Sequence, residues 1–295
     1  MSAPETFKWG NFAPFADMRF TASDWCETVD GGQAFSWNAA QNCGEFEGVF
    51  ANVAAKIRLG KDGVPEAAFP QNLDAAECAQ KLAEYFDSRT DYAKIRSSLE
   101  NSADEKMQKA LRAYPTLRIL RQSVDETIVG FICSSSKRIP QIKKCVKNLS
   151  EKFGEKICGG FFALPTIERL ADADPAEIRK CGLGFRADYL SKSARKIAAD
   201  KFDTSALREM PYEEAKNYLT SLSGIGDKIA DCILLFGCAR FEAFPVDTWI
   251  RRAMCELYPV EDNPKKIRLF AAQKFPLYAG FAQQMLFAAK RNGRL

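Results

Sequence analysis

The chain has 295 residues, of which 46% are hydrophobic and 27% are charged. This composition is ordinary for a globular protein with one large domain or two modest ones. No run approaches the roughly 18 uninterrupted apolar residues of a membrane helix, and Glu5 and Lys8 stand where a signal peptide needs an apolar segment. We therefore expect an intracellular protein that has no membrane partner.

Cysteine and histidine usage narrows the possible chemistry. Ten cysteines are spread along the chain without a CxxC pair, and there is no histidine. The cysteine spacing argues against a zinc ribbon, a thioredoxin-like site and a disulfide framework. The lack of histidine excludes Ser-His and Cys-His nucleophile pairs and nearly all catalytic zinc sites. Catalysis must therefore use a carboxylate, a lysine, a thiol or a hydroxyl.

Charge is distributed unevenly. Residues 1–110 contain 11 basic and 17 acidic residues, whereas residues 111–295 contain 31 basic and 21 acidic residues. The second part is the better candidate for binding a polyanion such as nucleic acid. A solvated basic surface is the alternative explanation.

The N-terminal part is predicted to form a small antiparallel sheet. From Trp25 to about Leu59 the pattern predicts short strands separated by glycine-containing turns, with runs at 33–37, 45–50 and 54–59. From Leu73 onward the apolar period changes to about 3.6, which predicts helices. The first helical stripe comprises Leu73, Ala76, Leu82 and Phe86.

These patterns predict an α+β fold that is mostly α. We expect an N-terminal antiparallel sheet domain with helices over 1–112, a helical domain with a helix–hairpin–helix over 113–258, and C-terminal helices over 259–295. The first boundary lies where the charge changes sign and Tyr114-Pro115 interrupts a helical pattern.

A glycine-bracketed turn between two helical patterns is the most informative motif. Gly224 and Gly226 flank Ile225, and the second helix begins immediately afterwards. Glycines let backbone N–H groups approach a phosphate at a helix N-terminus without side chains in the way. Such a hairpin can hold the DNA backbone without reading its sequence. A tight turn between packed helices is the structural alternative.

Lys228 and Asp247, which both follow this turn in the sequence, suggest catalysis. Lys228 falls in the first turn of the second helix, and nineteen residues later Asp247 follows Pro245-Val246 at a predicted helix N-cap. An amine at a helix N-terminus that is shielded from water can act as a nucleophile. This combination resembles the helix–hairpin–helix DNA glycosylases that have a catalytic lysine. The resemblance implies that Lys228 attacks the sugar C1′ and that Asp247 stabilises the developing positive charge.

Within that superfamily, the chain resembles the 8-oxoguanine DNA glycosylases from about Trp25 to Phe287. Endonuclease III-like enzymes usually add a four-cysteine iron–sulfur cluster near the C-terminus, whereas this chain has no cysteine after Cys255. Adenine glycosylases commonly carry the cluster and lack the lysine. The alkyladenine branch keeps the aspartate without the lysine.

The resemblance implies a pocket for a flipped-out base. The Gly31–Trp37 segment is similar to a family turn in which a glycine carbonyl, here that of Gly32, accepts a hydrogen bond from N7–H of 8-oxoguanine. The C-terminal helix would supply Gln283 to the Watson–Crick edge and Phe287 to one face of the base. Cys232, one turn after the lysine, would cover the other face. Core packing is the alternative for Cys232 and Phe287.

Another set of residues is expected to contact the opposite strand. Phe185 takes the position of the family's intercalating aromatic residue, and Arg186 that of an arginine that reads the orphaned cytosine. Ser136 and Gln141 replace an asparagine and an arginine that contact the same cytosine in family members better known from animals. We therefore predict relaxed opposite-base preference.

Two further departures concern phosphate contacts. Trp249 replaces a phosphate-binding histidine of the family. Five cations without an intervening acid lie nearby in the sequence and could attract phosphates, with Lys137 and Arg138 as the first candidates. They are Lys137, Arg138, Lys143, Lys144 and Lys147. A solvated basic helix face is the alternative.

The resemblance as a whole implies a monomeric 8-oxoguanine DNA glycosylase with β-lyase activity. It implies no metal and no organic cofactor, and its partner would be double-stranded DNA containing oxidised guanine. Two alternatives stay open. One is a related glycosylase for another oxidised base, and the other is a non-catalytic DNA-binding protein that kept the hairpin.

Overall fold

The computed structural model describes residues 7–102 and 104–295. In these ranges the chain forms an N-terminal antiparallel sheet followed mostly by helices. The predicted α+β, mostly helical fold class is confirmed.

The main sheet has five antiparallel strands in the order β1-β5-β4-β3-β2. The strands are β1 (Ala13–Pro14), β2 (Trp37–Ala39), β3 (Glu45–Phe50), β4 (Val53–Leu59) and β5 (Pro65–Ala68). Phe50 pairs with Val53, so a two-residue turn joins β3 and β4. Both turn residues, Ala51 and Asn52, have positive φ, at 44° and 61°, as a tight hairpin turn demands. The hairpin fixes the centre of the sheet.

The expectation of strand structure from Trp25 onward is wrong for the first segment. Residues 22–30 form helix α1 (Ala22–Asp30), and the Thr21 side chain caps it by accepting a bond from the Asp24 N–H at 3.2 Å. Trp25 and Val29 are four residues apart and fully buried on one face. Residues 33–36 are irregular, and the strand begins only at Trp37.

Helix α2 (Ala75–Tyr85) packs under the sheet. Leu82 and Phe86 are buried as predicted, and the Phe86 ring stacks on that of Trp25 with centroids 5.4 Å apart. Leu73 and Ala76 were expected on the same stripe but are exposed. Asp74 caps the helix, so Leu73 lies before its first turn.

Helices dominate the rest of the chain. They are α3 (Tyr92–Ser102), α4 (Glu105–Ala113), α5 (Val124–Ser134), α6 (Ile139–Phe153), α7 (Ile167–Asp172), α8 (Pro175–Ile178), α9 (Arg186–Ala199), α10 (Tyr212–Ser221), α11 (Asp227–Cys238), α12 (Thr248–Leu257), α13 (Pro264–Lys274) and α14 (Ala279–Arg291). A small hairpin of β6 (Lys156–Cys158) and β7 (Phe161–Phe162) follows α6. All residues from Ile229 to Cys238 are buried, so α11 runs through the centre of the helical body.

Two hydrophobic cores meet beside a buried glutamine. One core lies under the sheet, and the other unites Phe35 and residues of α3 and α4 with the helices up to α14. At the junction the Gln33 side chain donates to the Arg118 carbonyl at 2.8 Å and accepts from the Leu120 N–H at 3.0 Å. The division into 1–112, 113–258 and 259–295 stays a prediction. Among the described residues, no helix combines the length and hydrophobicity required to span a membrane.

Glu126 lies in the first turn of α5 and lines a cavity of about 230 Å³ together with Phe35 and Phe131. Burial, reinforced by the charge of Asp125, raises the pKa of the Glu126 carboxyl from its ordinary value to about 7. The folded state therefore binds a proton more tightly at this site than the unfolded chain does.

We predict that part of the free energy of unfolding, roughly 1–3 kcal/mol, is lost as the pH rises from about 4.5 to 7 because Glu126 must ionise. The Glu126→Gln variant should lack this part of the loss. Urea denaturation across that range would measure the difference between the two proteins. Glu105→Gln, which changes an exposed first-turn glutamate of α4, is the control. A pH-independent difference for Glu126→Gln would contradict the prediction.

Candidate functional site

The hairpin between α10 and α11 has a conformation that depends on its glycines. Gly224 has φ +79°, and a Cβ there would lie 2.6 Å from the Tyr189 ring. Gly226 is exposed, and a Cβ there would have no neighbour within 4 Å. The buried Ser193 hydroxyl donates to the Ser223 carbonyl at 2.8 Å and ties the hairpin to α9. The first N–H groups of α11 are thus presented at an open surface.

Lys228 lies in the first turn of α11 and is partly buried. Its Nζ is 5.6 Å from the centroid of the Phe131 ring. In the described part of the chain, no carboxylate lies within ion-pair distance of this Nζ. The amine is therefore held against an aromatic face and is not neutralised by an acid.

Cys232 lies one turn along α11 from Lys228 and is 4% exposed. Burial raises the pKa of its thiol to about 11, while Lys228 acts in the opposite direction through its charge and a side-chain hydrogen bond. The charge of Asp247 also acts on this thiol. The three predicted residues are therefore close together, and Cys232 is an uncharged thiol near pH 7.

Asp247 occupies the predicted N-cap position of α12. Its Oδ1 accepts a hydrogen bond from the Ile250 N–H at 2.8 Å. The residue is partly buried, and its second carboxylate oxygen makes no hydrogen bond within the described ranges. This oxygen is free to face a developing positive charge, and the cap holds it in place.

The predicted base-contacting residues of α14 lie on the buried side of that helix. Gln283 is 5% exposed, and its Oε1 has no hydrogen-bond partner in the described structure. A buried amide oxygen without a partner costs free energy, and a bound ligand could supply the missing donor. Phe287 lies one turn further on and is partly exposed. Near the start of the helix, Gly280 packs closely against Leu235 of α11, three residues after Cys232.

Gly32 is the remaining residue predicted to line the pocket. Its φ is +99°, and a Cβ there would lie 3.0 Å from Cδ1 of Ile139, the first residue of α6. The next peptide is held because Gln122 Nε2 donates to the Gln33 carbonyl at 2.7 Å. Gly32 therefore adopts a backbone conformation that other residues rarely take, next to a site-lining helix.

Phe185 and Arg186 begin α9. The Phe185 ring is 55% exposed and meets the Tyr189 ring edge-on, with centroids 5.7 Å apart. Arg186 is only 6% exposed; its Nη1 donates to the Leu183 carbonyl at 3.2 Å, and its guanidinium lies 4.2 Å from the Phe185 ring centroid. Phe185 thus projects as a wedge would, whereas Arg186 is turned inward in this conformation.

The loop before α6 lies beside the Phe185 segment. Ser136 is exposed with φ +52°, and Lys137 Nζ donates to the Gly182 carbonyl at 2.8 Å. The exposed Gln141 uses its Oε1 to accept from the Arg138 N–H at 3.0 Å. The structure therefore places the loop that contains Ser136 next to the segment before Phe185, whereas Arg186 is buried and Gln141 caps a helix.

The basic cluster is less free than the sequence indicates. Lys143 forms an ion pair with Asp30 at 2.5 Å, and its side chain is 11% exposed. Lys147 lies 3.7 Å from Glu151 on the same helix. Arg138 and Lys144 remain exposed without an ion pair in the described ranges, and Trp249 is exposed at the start of α12. Fewer than five cations of this cluster are therefore available to attract phosphates.

Sequence reasoning missed several residues that shape this site. Phe131 supports Lys228, Ile139 packs beneath Gly32, and Tyr189 packs against both Phe185 and Gly224. Tyr189 follows Phe185 by four residues, a spacing that could have signalled the pair. Arg291 contacts the Phe287 ring and the Gly31 carbonyl, and nothing in the local sequence indicates this.

Among the described residues, no group of three or more cysteines, aspartates or glutamates is placed to hold a metal ion.

Comparison with known proteins gives two adjoining family matches. The family described as "HhH-GPD superfamily base excision DNA repair protein" matches residues 129–276. The "8-oxoguanine DNA glycosylase, N-terminal domain" matches residues 19–128. The chain therefore belongs to the 8-oxoguanine DNA glycosylases of the helix–hairpin–helix superfamily, as the motifs had indicated.

Two solved structures are similar over almost the whole chain. The 8-oxoguanine glycosylase/lyase of Clostridium acetobutylicum, bound to duplex DNA with cytosine opposite 8-oxoguanine, is 30% identical with a TM-score of 0.84, covering 99% of both chains. MBOgg1, bound to a low-affinity DNA ligand, is 32% identical with a TM-score of 0.85, covering 98% of this chain and 99% of that one.

One curated relative matches over a shorter stretch. The probable N-glycosylase/DNA lyase of Methanothermobacter thermautotrophicus is 39% identical over 140 residues. This match covers 45% of this chain and 45% of the archaeal protein, so it spans less than half of that relative's length.

The two hairpin glycines should respond differently to substitution by alanine. Gly224→Ala should lower the free energy of unfolding by about 1–3 kcal/mol, because it adds strain at φ +79° and a collision with Tyr189. Gly226→Ala should change it by less than about 0.5 kcal/mol, because the added methyl group meets open space. Urea denaturation of both variants measures this, and equal destabilisation would contradict the close contact at Gly224.

Proposed function

We propose that this protein excises 8-oxoguanine from duplex DNA and then cleaves the DNA backbone through a Schiff base on Lys228. The observation that carries the proposal is the placement of three groups. In the described structure, Lys228 Nζ lies against the Phe131 ring without an ion pair, the Asp247 cap leaves one carboxylate oxygen without a hydrogen bond, and Gln283 Oε1 is buried without a partner. The first two groups suit reaction at a sugar carbon, and the third suits recognition of a base.

The first step is nucleophilic substitution at the sugar. The lone pair of the Lys228 amine forms a bond to C1′ while the glycosidic C–N bond breaks, and the bonding electron pair leaves with the base, which takes up a proton. The attached nitrogen then gives up a proton and its lone pair forms the C=N bond of the Schiff base, while the C1′–O4′ bond breaks and the ring oxygen O4′ takes up a proton as a hydroxyl. Removal of a C2′ proton then expels the 3′ phosphate and completes the lyase step.

Asp247 contributes electrostatically to the first step. As the glycosidic bond breaks, positive charge develops on the sugar ring, and a fixed carboxylate nearby lowers the energy of that state. The α12 cap, with Ile250 N–H donating to Asp247 Oδ1 at 2.8 Å, prevents the carboxylate from turning away. Preorganisation of this kind avoids reorientation during the reaction.

Recognition of the lesion would use two polar groups of the pocket, the Gly32 carbonyl and the Gln283 side chain. The Gly32 carbonyl can accept from N7–H of 8-oxoguanine, whereas guanine has a bare N7 acceptor that repels it. Gln283 would bond the Watson–Crick edge, with Phe287 and Cys232 on the two faces of the base. This arrangement also explains why Gln283 remains polar although it is 5% exposed.

The hairpin would hold the DNA backbone. The exposed Gly226 precedes the first N–H groups of α11, where a phosphate oxygen could approach closely. The methyl group of Gly226→Ala should therefore weaken duplex binding although it fits the free protein. DNA as the substrate also places the protein with the DNA inside the cell, where we expect it to act as a monomer without a metal or organic cofactor.

We predict that Lys228→Gln abolishes base release and borohydride trapping on a duplex containing 8-oxoguanine, because the nucleophile is lost. Duplex binding should remain, because the hairpin and the exposed cations are unchanged. Chromatography of released base, gel analysis of the trapped complex and a titration with labelled duplex measure the three quantities. Substantial base release by the variant would contradict the role of Lys228.

Three comparisons complete that experiment. Lys265→Gln changes an exposed lysine at the start of α13 and should retain full activity. Wild-type protein that binds duplex DNA without being trapped would favour a non-catalytic DNA-binding protein. Faster release of another oxidised base from a panel of duplexes would favour a related glycosylase.

We also predict a modest preference for cytosine opposite the lesion. Gln141 is occupied in capping α6, Ser136 is short, and Arg186 must turn outward to reach a base. Each missing specific contact removes roughly 1–3 kcal/mol of discrimination, so excision should be measurable opposite all four bases. Arg186→Ala should flatten the preference further. Single-turnover rates on four duplexes test this, and wild-type activity opposite cytosine alone would contradict it.

A further inference from the structure

The C-terminal end of α14 contacts the turn that precedes β2. Arg291 Nη1 donates to the Gly31 carbonyl at 2.8 Å, and Nη2 donates to Glu27 Oε2 at 2.7 Å. The same guanidinium lies 5.2 Å from the centroid of the Phe287 ring. One side chain therefore contacts the turn that contains Gly32 and the ring expected to stack on the base.

The Glu27 end of this contact is itself fixed. Glu27 is 5% exposed, and Asn292 Nδ2 donates to its Oε2 at 3.1 Å and to the Tyr114 hydroxyl oxygen at 2.8 Å. Gly31 lies so close to α1 that an added Cβ would be 2.0 Å from the Glu27 carbonyl oxygen. The end of α1, the glycine turn and the end of α14 thus form one connected group.

The other side of the turn is anchored independently. The Gln33 carbonyl accepts from Gln122 Nε2 at 2.7 Å, and the Gln33 side chain bonds the backbone at Arg118 and Leu120. The Gly32 carbonyl therefore lies between two peptides whose orientations are fixed. Arg291 supplies the anchor on one side, and Gln122 supplies it on the other.

We propose that Arg291 is a positioning residue, which sets the Gly32 carbonyl relative to the Phe287 ring and thereby controls recognition of the excised base. The proposal rests on the proposed function. A planar guanidinium can bond Gly31 and Glu27 at once and pack on an aromatic face, whereas an ammonium cannot reproduce that geometry. Because the carbonyl reads the edge of the base and the ring covers its face, their relative position decides whether 8-oxoguanine fits.

The test separates base recognition from sugar chemistry. Cleavage at a preformed abasic site needs Lys228 but has no base to place, whereas excision of 8-oxoguanine needs both. Arg291→Met should slow single-turnover excision of 8-oxoguanine on the order of 10-fold to 100-fold and change abasic-site cleavage by less than about 3-fold. Arg291→Lys should fall between Arg291→Met and the wild type in excision.

Arg294 offers a matched control on the same segment. Its Nη1 donates to the Ala113 carbonyl at 2.8 Å, and its guanidinium lies 4.7 Å from the Tyr114 ring centroid, so it has the same types of contact away from the glycine turn. Arg294→Met should leave both activities within about 2-fold of the wild type. Equal loss of both activities in Arg291→Met, or no loss of either, would overturn the proposal.

A measurement without DNA distinguishes failure of this proposal from failure of the proposed function. Hydrogen exchange of peptides covering residues 31–36 should be at least several-fold faster in Arg291→Met than in the wild type and unchanged in Arg294→Met. If Arg291→Met does not fold, Glu27→Gln takes its place, because it weakens the same contact. Hydrogen exchange of residues 31–36 should also be faster in Glu27→Gln than in the wild type, but by a smaller factor than that expected for Arg291→Met. Unchanged exchange in these variants would refute the positioning role even if the enzyme excises 8-oxoguanine. Wild-type protein that never releases 8-oxoguanine would refute the function instead.

Discussion

The arrangement of the site depends on the contacts that the Phe131 ring makes. Its centroid lies 5.3 Å from that of Phe35, which follows the glycine turn, and 5.6 Å from that of Phe236 on α11. Lys228 Nζ lies 5.6 Å from the same ring. One buried aromatic residue of α5 thus contacts both α11 and Phe35, which follows the glycine turn. Lys228, the predicted nucleophile, and the turn that contains Gly32, predicted to contact the base, are therefore packed against the same side chain.

A second constraint is the need for close approach at the hairpin. Gly224 packs on Tyr189, which also meets Phe185, so the hairpin and the exposed aromatic wedge are mechanically connected. The buried Ser193 hydroxyl strengthens this connection by donating to the Ser223 carbonyl. Side chains with no chemical role therefore hold two predicted DNA-contacting surfaces in a fixed relation, and dense packing transmits any shift between them.

Two buried glutamines differ in how fully their side chains are hydrogen-bonded. Gln33 and Gln283 are both nearly inaccessible glutamines, at 0% and 5% exposure. Gln33 makes hydrogen bonds with both ends of its amide, whereas Gln283 Oε1 has no partner among the described residues. Because an unpaired buried acceptor is costly, the second pattern is the one expected where a ligand completes the hydrogen bonding. Burial alone would not have distinguished the two residues.

The sequence by itself determined the helical majority, the hairpin, the position of Lys228 in the first turn of α11 and the Asp247 cap. These depend on local rules of periodicity, glycine conformation and capping, which short segments contain in full. The same local rules misassigned α1, because Trp25 and Val29 acquire their helical burial from Phe86 and other residues distant in sequence. Only tertiary structure decided that Lys143 is paired with Asp30, that Arg186 faces inward and that Arg291 bonds the Gly31 carbonyl. The last contact joins residues 260 positions apart, and no local pattern can encode a contact that exists only after the two cores have packed together.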